Sequence, residues 1–130
     1  HSPDVMSGDV GIKRHQDLLI SWTPAAFDDN PSIVAIELSV FDTDIDDPNW
    51  QTEVVRVVAR GDDAVGALTI PSSVLAGLPA APNNWDGGGD FTGYWGELTV
   101  ARHRLRKVKV DGGDLVVDFI HAINGPVRLR

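Results

Sequence analysis

Cysteine is absent from this chain. That removes thiol nucleophiles, thiolate metal sites and disulfides together, so stability has to come from a packed core. Methionine and tyrosine occur once each. No apolar run approaches the roughly 20 residues that a membrane-spanning helix needs, so no membrane insertion is expected. Basic side chains are scarce: 11 Lys and Arg stand against 19 Asp and Glu, for a net charge of −8. Such a surface repels phosphate backbones and disfavours nucleic acid, while it suits cations, basic partners or neutral sugars.

Catalytic patterns are missing as well. His1, His15, His103 and His121 form no HExxH spacing, and no serine sits in a GxSxG context. The triple glycine at 87–89 is not followed by Lys-Ser or Lys-Thr, so it does not read as a phosphate cradle. The expectation is a protein that is not an enzyme and requires no cofactor.

What the chain does have is period-two alternation broken by Gly, Pro, Asn and Asp. Residues 17–24 (DLLISWTP) put Leu18, Ile20 and Trp22 on one face, and Pro24 ends the run. Residues 33–41 (IVAIELSVF) put Val34, Ile36, Leu38 and Val40 together, against Ala35, Glu37 and Ser39. Further strands are expected over 52–60, 65–70, 97–110 and 114–123, with a weak one near 10–14 and a hairpin turn at 111–113. Pro71 opens a helical turn that Gly77 and Pro79 close. Residues 80–93, rich in Pro, Asn and Gly, read as a long surface loop. With 130 residues and 42% hydrophobic composition, the chain fits one β-sandwich domain over 10–130, after a tag remnant or flexible N-terminus at 1–9.

The run 17–24, with its tryptophan shortly before a proline, resembles the second strand of fibronectin-III-like domains. Residues 68–79 (LTIPSSVLAGLP) followed by 96–102 (GELTVAR) resemble the corner and next strand of Ig-like modules in secreted bacterial proteins. The resemblance spans most of 10–123. It implies an antiparallel all-β sandwich of about seven strands, Ig-like or fibronectin-III-like, which serves outside the cell in adhesion, spacing or ligand display. The tyrosine usual near the penultimate strand of fibronectin-III domains has no obvious counterpart here.

Two loops carry the candidate sites. In 41–48 (FDTDIDDP), Asp42, Asp44 and Asp46 alternate, with Asp47 beside them. Calcium takes six to eight hard oxygens, and alternating Asp in a loop can supply them. Counted from Asp42, the sixth position holds Asp47 where an EF-type loop needs Gly, while Glu53 fills the twelfth. A solvated acidic turn explains the same residues without an ion. In 83–95 (NNWDGGGDFTGYW), Trp85, Tyr94 and Trp95, with Asp86 and Asp90, are of the types that stack on sugar rings and bond hydroxyls. Trp50 lies in a similar setting. Aromatics folded back as a plug, or set at a protein interface, account for them equally.

A basic run, 102–109 (RHRLRKVK), holds five of the 11 basic residues. Arg102, Arg104 and Arg106 share a strand face, with Lys107 and Lys109 on the other after a bulge. It is either a docking stripe for an acidic partner or a guard against edge pairing. Asn124-Gly125 reads as a turn dipeptide, with a Lys13–Asn124 isopeptide as the sharper alternative. The functional expectation is a non-catalytic extracellular binding or assembly module with a protein or polysaccharide ligand. The alternatives are a carbohydrate-binding accessory module and a spacer or self-associating subunit.

Overall fold

In the computed structural model of the protein, residues 11–25, 32–43, 51–81 and 93–130 are described. Seven strands lie among them: β1 (Gly11–Ile12), β2 (Leu18–Ser21), β3 (Ser32–Thr43), β4 (Gln51–Asp62), β5 (Ala67–Ile70), β6 (Gly93–Val110) and β7 (Gly113–Leu129). A single turn of α-helix, α1 (Ser72–Leu75), follows β5, and apart from it and a short 3₁₀ turn the regular structure of the described residues is all β. Five strands form one sheet in the order β1-β7-β6-β3-β4, and β2 and β5 pair as a two-stranded lid.

Alternation decides which side chains are buried. Val34, Ile36, Leu38 and Val40 of β3 all turn to one side and are fully buried. Their cross-strand neighbours on β6, Arg102, Val100, Leu98 and Gly96, share that face, as do Gly61, Ala59, Val57 and Val55 of β4. The lid brings Ile20 and Ile70, the segment after it brings Leu75 and Leu78, and β1 and β7 add Ile12, Val127 and Leu129, so that both sheets share one core. Leu19, one residue out of phase with Ile20, is 65% exposed. Gly96 is required where it stands. A Cβ there would come within 2.8 Å of the Val127 side chain, which fills that part of the core.

Two polar contacts anchor α1. Its first residue donates its backbone N–H to the Asp17 carboxylate at 2.7 Å. Pro71 has no side-chain donor or acceptor to cap the turn, so a neighbouring segment does so. That bond holds the Asp17 carboxyl below its ordinary pKa. At the other end Arg14 Nη1 donates to the Leu78 carbonyl at 2.7 Å.

The structure departs from the sequence reading at four places. The sheet is mixed rather than purely antiparallel, because β1 runs parallel to β7 with Gly11 opposite Arg128 and Ile12 opposite Leu129. Tyr94 and Trp95 open β6 instead of ending a loop, since they pair with Asp42 and Phe41 of β3. Asn124-Gly125 lies inside β7, opposite Thr99 and Leu98, and not at a turn. Pro126 is tolerated just beyond, where β7 has a neighbour on one side only among the described residues. Lys107 and Lys109 reach the opposite face from Arg102 by plain alternation, and the β6–β7 register has no bulge.

The expected outcome of removing core volume follows from these exposures. Ile36→Ala should cost about 2–5 kcal/mol in urea unfolding, while Leu19→Ala stays within about 0.5 kcal/mol of the parent. Equal losses would mean that the face assignment of β2 and β3 is wrong.

Candidate interaction surface

The lid is fastened to the sheet at Asp63. This residue follows β4 in a short 3₁₀ turn (Asp63–Val65), and its side chain is 4% exposed. Arg102 of β6 approaches it with two nitrogens, Nε to Oδ2 at 3.0 Å and Nη2 to Oδ1 at 3.1 Å. The Ala25 backbone N–H donates to Oδ2 at 3.3 Å, and Trp22 Nε1 donates to the Asp63 carbonyl at 2.9 Å. Arg102 Nη2 also donates to the Thr23 carbonyl at 2.7 Å. Burial alone would raise the Asp63 pKa, but hydrogen bonds from Arg102 and Ala25 and the adjacent positive charge bring it below the ordinary value. Gly66 ends the turn at φ 74°, a left-handed conformation that glycine adopts without strain, and a Cβ added there would come within 3.3 Å of Pro24 and the Trp22 carbonyl.

Beyond this fastening no described residue covers the inner face of the sheet. An open hollow of about 260 Å³ lies between Trp22, Val34, Val100, Arg102, His121 and Ile123. A second, of about 430 Å³, is lined by Arg102, Arg104, Arg106, Phe119, Ile120 and His121. Arg102 and His121 line both, so they read as one groove running outward along β6 and β7. Across the ladder Arg102 faces His121, Arg104 faces Phe119 and Arg106 faces Val117. The groove therefore sets guanidinium and imidazole groups beside apolar walls, with Arg102 already engaged by Asp63 and the Thr23 carbonyl.

The groove runs onto an arm. β3 covers β6 only as far as Arg104, which pairs with Ser32. Past that point 105–110 pair only with 113–118 among the described residues, joined through Gly112 at φ 95°. Six residue pairs at strand spacing give a projection of about 20 Å. Its inner face is largely apolar, with Val108, Val110, Leu115 and Val117 beside Arg106, while its outer face mixes Leu105 and Val116 with Lys107, Lys109, Asp114 and Asp118; Phe119 and Ile120 stand at its base. Phe119 is 55% exposed and Ile120 60%. On the outer side His103 Nδ1 lies 3.0 Å from Asp118 Oδ2, which ties the arm's base across strands.

The residues singled out from sequence are not gathered into one site. Asp44, Asp46, Asp47, Trp50, Trp85, Asp86 and Asp90 lie outside the described residues. Asp42 is half-buried on β3, opposite Tyr94 and Thr52. Glu53 is engaged by Arg56, with Nε at 3.0 Å from Oε1 and Nη2 at 2.7 Å from Oε2. That contact holds the Glu53 carboxyl below its ordinary pKa. Trp95 is stacked on Phe41 with ring centroids 4.9 Å apart, while Tyr94 is exposed at the same end of the sheet. No group of three or more His, Asp or Glu poised to hold a metal occurs among the described residues. Lys13 and Asn124 are both exposed, and the register sets Lys13 level with Arg130, roughly 20 Å along the strand from Asn124. That separation rules out an isopeptide between them in this fold.

By local turn chemistry alone Asp62 and Asp63 are alike, both suited to bonding their own backbone. Asp62 does so, with Oδ1 accepting the Ala64 N–H at 2.9 Å. Asp63 instead turns inward to a partner 39 residues away, which no local spacing foretells. The arm did leave a signal. Apolar residues occupy both phases of 115–120 (LVVDFI), whereas a half-buried strand shows one.

Asp63→Asn should destabilise the protein by about 3 kcal/mol, since it leaves Arg102 without its carboxylate in a largely enclosed site. Because the folded pKa lies below the unfolded one of about 3.9, the carboxylate's stabilisation is complete above the unfolded value and is lost as pH falls through the folded value. Urea titrations from neutral pH down to that range should show a steeper acid loss in the parent than in Asp63→Asn. Parallel curves would deny Asp63 this role.

No family model, curated protein or solved structure matches this chain.

Proposed function

We propose that the chain is a non-catalytic binding or assembly module that works outside the cell, and that the β6–β7 arm with its groove is the working surface. The observation that carries this reading is the arm itself. A two-stranded ribbon alone is marginal in water, and this one exposes large apolar residues, chiefly on its inner face. Contiguous exposed apolar surface rimmed by polar groups is characteristic of interaction sites. The five-stranded sheet and two-stranded lid around one core are compatible with an Ig-like or fibronectin-III-like sandwich, which supports the same class of role. A fold of this kind does not choose the partner, so the argument rests on the arm.

Carbohydrate binding through Trp85, Tyr94 and Trp95 is the weaker reading, because the Trp95 ring already stacks on Phe41. Calcium at 42–47 likewise loses Glu53 as a ready ligand while Arg56 holds it.

The test is a chain in which 105–118 are replaced by an Asn-Gly turn, which closes the hairpin near the end of β3. It should keep the parent's far-ultraviolet spectrum and melting temperature within a few degrees. It should also lose the parent's self-association in sedimentation and any retention on a panel of immobilised polysaccharides and extracellular-matrix proteins. A shortened chain that keeps every interaction of the parent would sink this reading.

A further inference from the structure

The open edge of β7 points to one occupant. One edge of β7 is hydrogen-bonded to β6 from Gly113 to Val127, and on the other edge only Arg128 and Leu129 are paired among the described residues, with β1. Pro126 has no N–H to offer a neighbouring strand. The edge able to form a regular ladder therefore spans 113–125, from the hairpin turn to the residue before the proline. Edges of this length are normally blunted by charge, bulge or cover. The opposite edge of the sheet, β4, carries Glu53, Arg56 and Arg60 exposed along it. β7 has neither a bulge in 113–125 nor a basic side chain other than His121.

We infer that this edge pairs antiparallel with the same edge of a second copy, making a two-fold dimer with its axis at Phe119. This deepens the proposal that the arm is the working surface, and rests on it. Full overlap of two identical antiparallel edges fixes the register without further choice, because the midpoint of 113–125 is Phe119. Every residue i then lies opposite 238 − i of the partner copy.

The resulting ladder is self-complementary. On the inner face Leu115 meets Ile123, Val117 meets His121, and Phe119 meets Phe119 across the axis. On the outer face Asp114 meets Asn124, Val116 meets Ala122, and Asp118 meets Ile120. Neither aspartate faces another carboxylate, and apolar cross-strand pairs of this kind are what stabilises antiparallel sheets. The contact is isologous, so it closes at two copies and does not propagate.

Charge favours the same geometry. The region 104–121 holds four of the 11 basic residues and only three of the 19 acidic ones. The rest of the chain carries the negative excess. In this register Gly125 of each copy lies opposite Gly113 of the other, so the two Gly125 positions are 12 residues apart along the ladder, about 40 Å. β3 covers β6 up to Arg104, which pairs with Phe119, so the two acidic bodies extend from the axis in opposite directions and it is their middles, near Gly125, that lie this far apart.

The experiment is sedimentation equilibrium on the parent, on Phe119→Lys and on Phe119→Glu, each checked for parental circular dichroism. The parent should run at twice its chain mass. Each variant sets like charges against each other at the axis and should raise the dissociation constant by at least about tenfold. An equimolar mixture of the two variants should return to the dimer mass, because Lys then faces Glu. A monomeric parent, variants that stay dimeric, or a mixture that stays monomeric would each overturn the dimer. A monomeric parent whose shortened-arm form loses retention on an immobilised ligand would overturn the dimer alone and leave the arm's role standing.

Discussion

The two-nitrogen contact between Arg102 and Asp63 is the constraint on which the remaining geometry depends. The lid and the sheet come from distant parts of the sequence, and apolar packing between them is non-directional. The ion pair, with Trp22 Nε1 on the Asp63 carbonyl and Ala25 N–H on its carboxylate, fixes where the lid stops along β6. An ion pair this enclosed gains little over an apolar replacement, and its role is better understood as positional. By holding Trp22 at one place it also sets where the groove begins, since Trp22 and Arg102 form its inner wall.

From that point outward the balance of forces changes. Under the lid, inner-face residues such as Ile36 and Leu98 lose nearly all contact with water. A few positions along β6 the same face carries Arg104 and Arg106, and then Val108 and Val110 with nothing described above them. The sheet thus passes from core to groove to arm without any break in register. A continuous ladder carries the alternation into a region that no second layer covers among the described residues, and the apolar phase persists there. The outer face there carries Lys107, Lys109 and Asp114, so the exposed apolar stripe is a property of the inner face.

Much of the architecture was legible in the sequence. The phase of 33–41 gave the buried face of β3 residue by residue, because a period of two leaves no freedom once one face is apolar. Leu19 and Ile20 sorted correctly for the same reason, and the helical turn after Pro71 followed from its flanking Pro and Gly. What escaped were features settled by partners far along the chain. Tyr94 and Trp95 look like loop residues beside Gly93, yet β3 offers Asp42 and Phe41 as pairing positions and draws them into β6. Asn124-Gly125 has turn chemistry, but the register with β6 overrides it. Of the candidate site, the aromatic and acidic loops stood out because they are compositionally unusual. The arm was less visible, since each of its residues is an ordinary strand residue and only the presence of both apolar phases marks it.

The parallel pairing of β1 with β7 has a mechanical consequence. Arg130 donates its N–H to the Ile12 carbonyl at 2.8 Å and the Arg14 N–H donates to the Arg130 carbonyl at 2.9 Å, so the two strands run side by side in the same direction. A tension applied through the segments before β1 and after β7 would pull the strands in opposite senses along their common axis. Those hydrogen bonds would then be loaded together in shear and not peeled one at a time, and Ile12 and Leu129 would have to slide out of the core before either strand could leave.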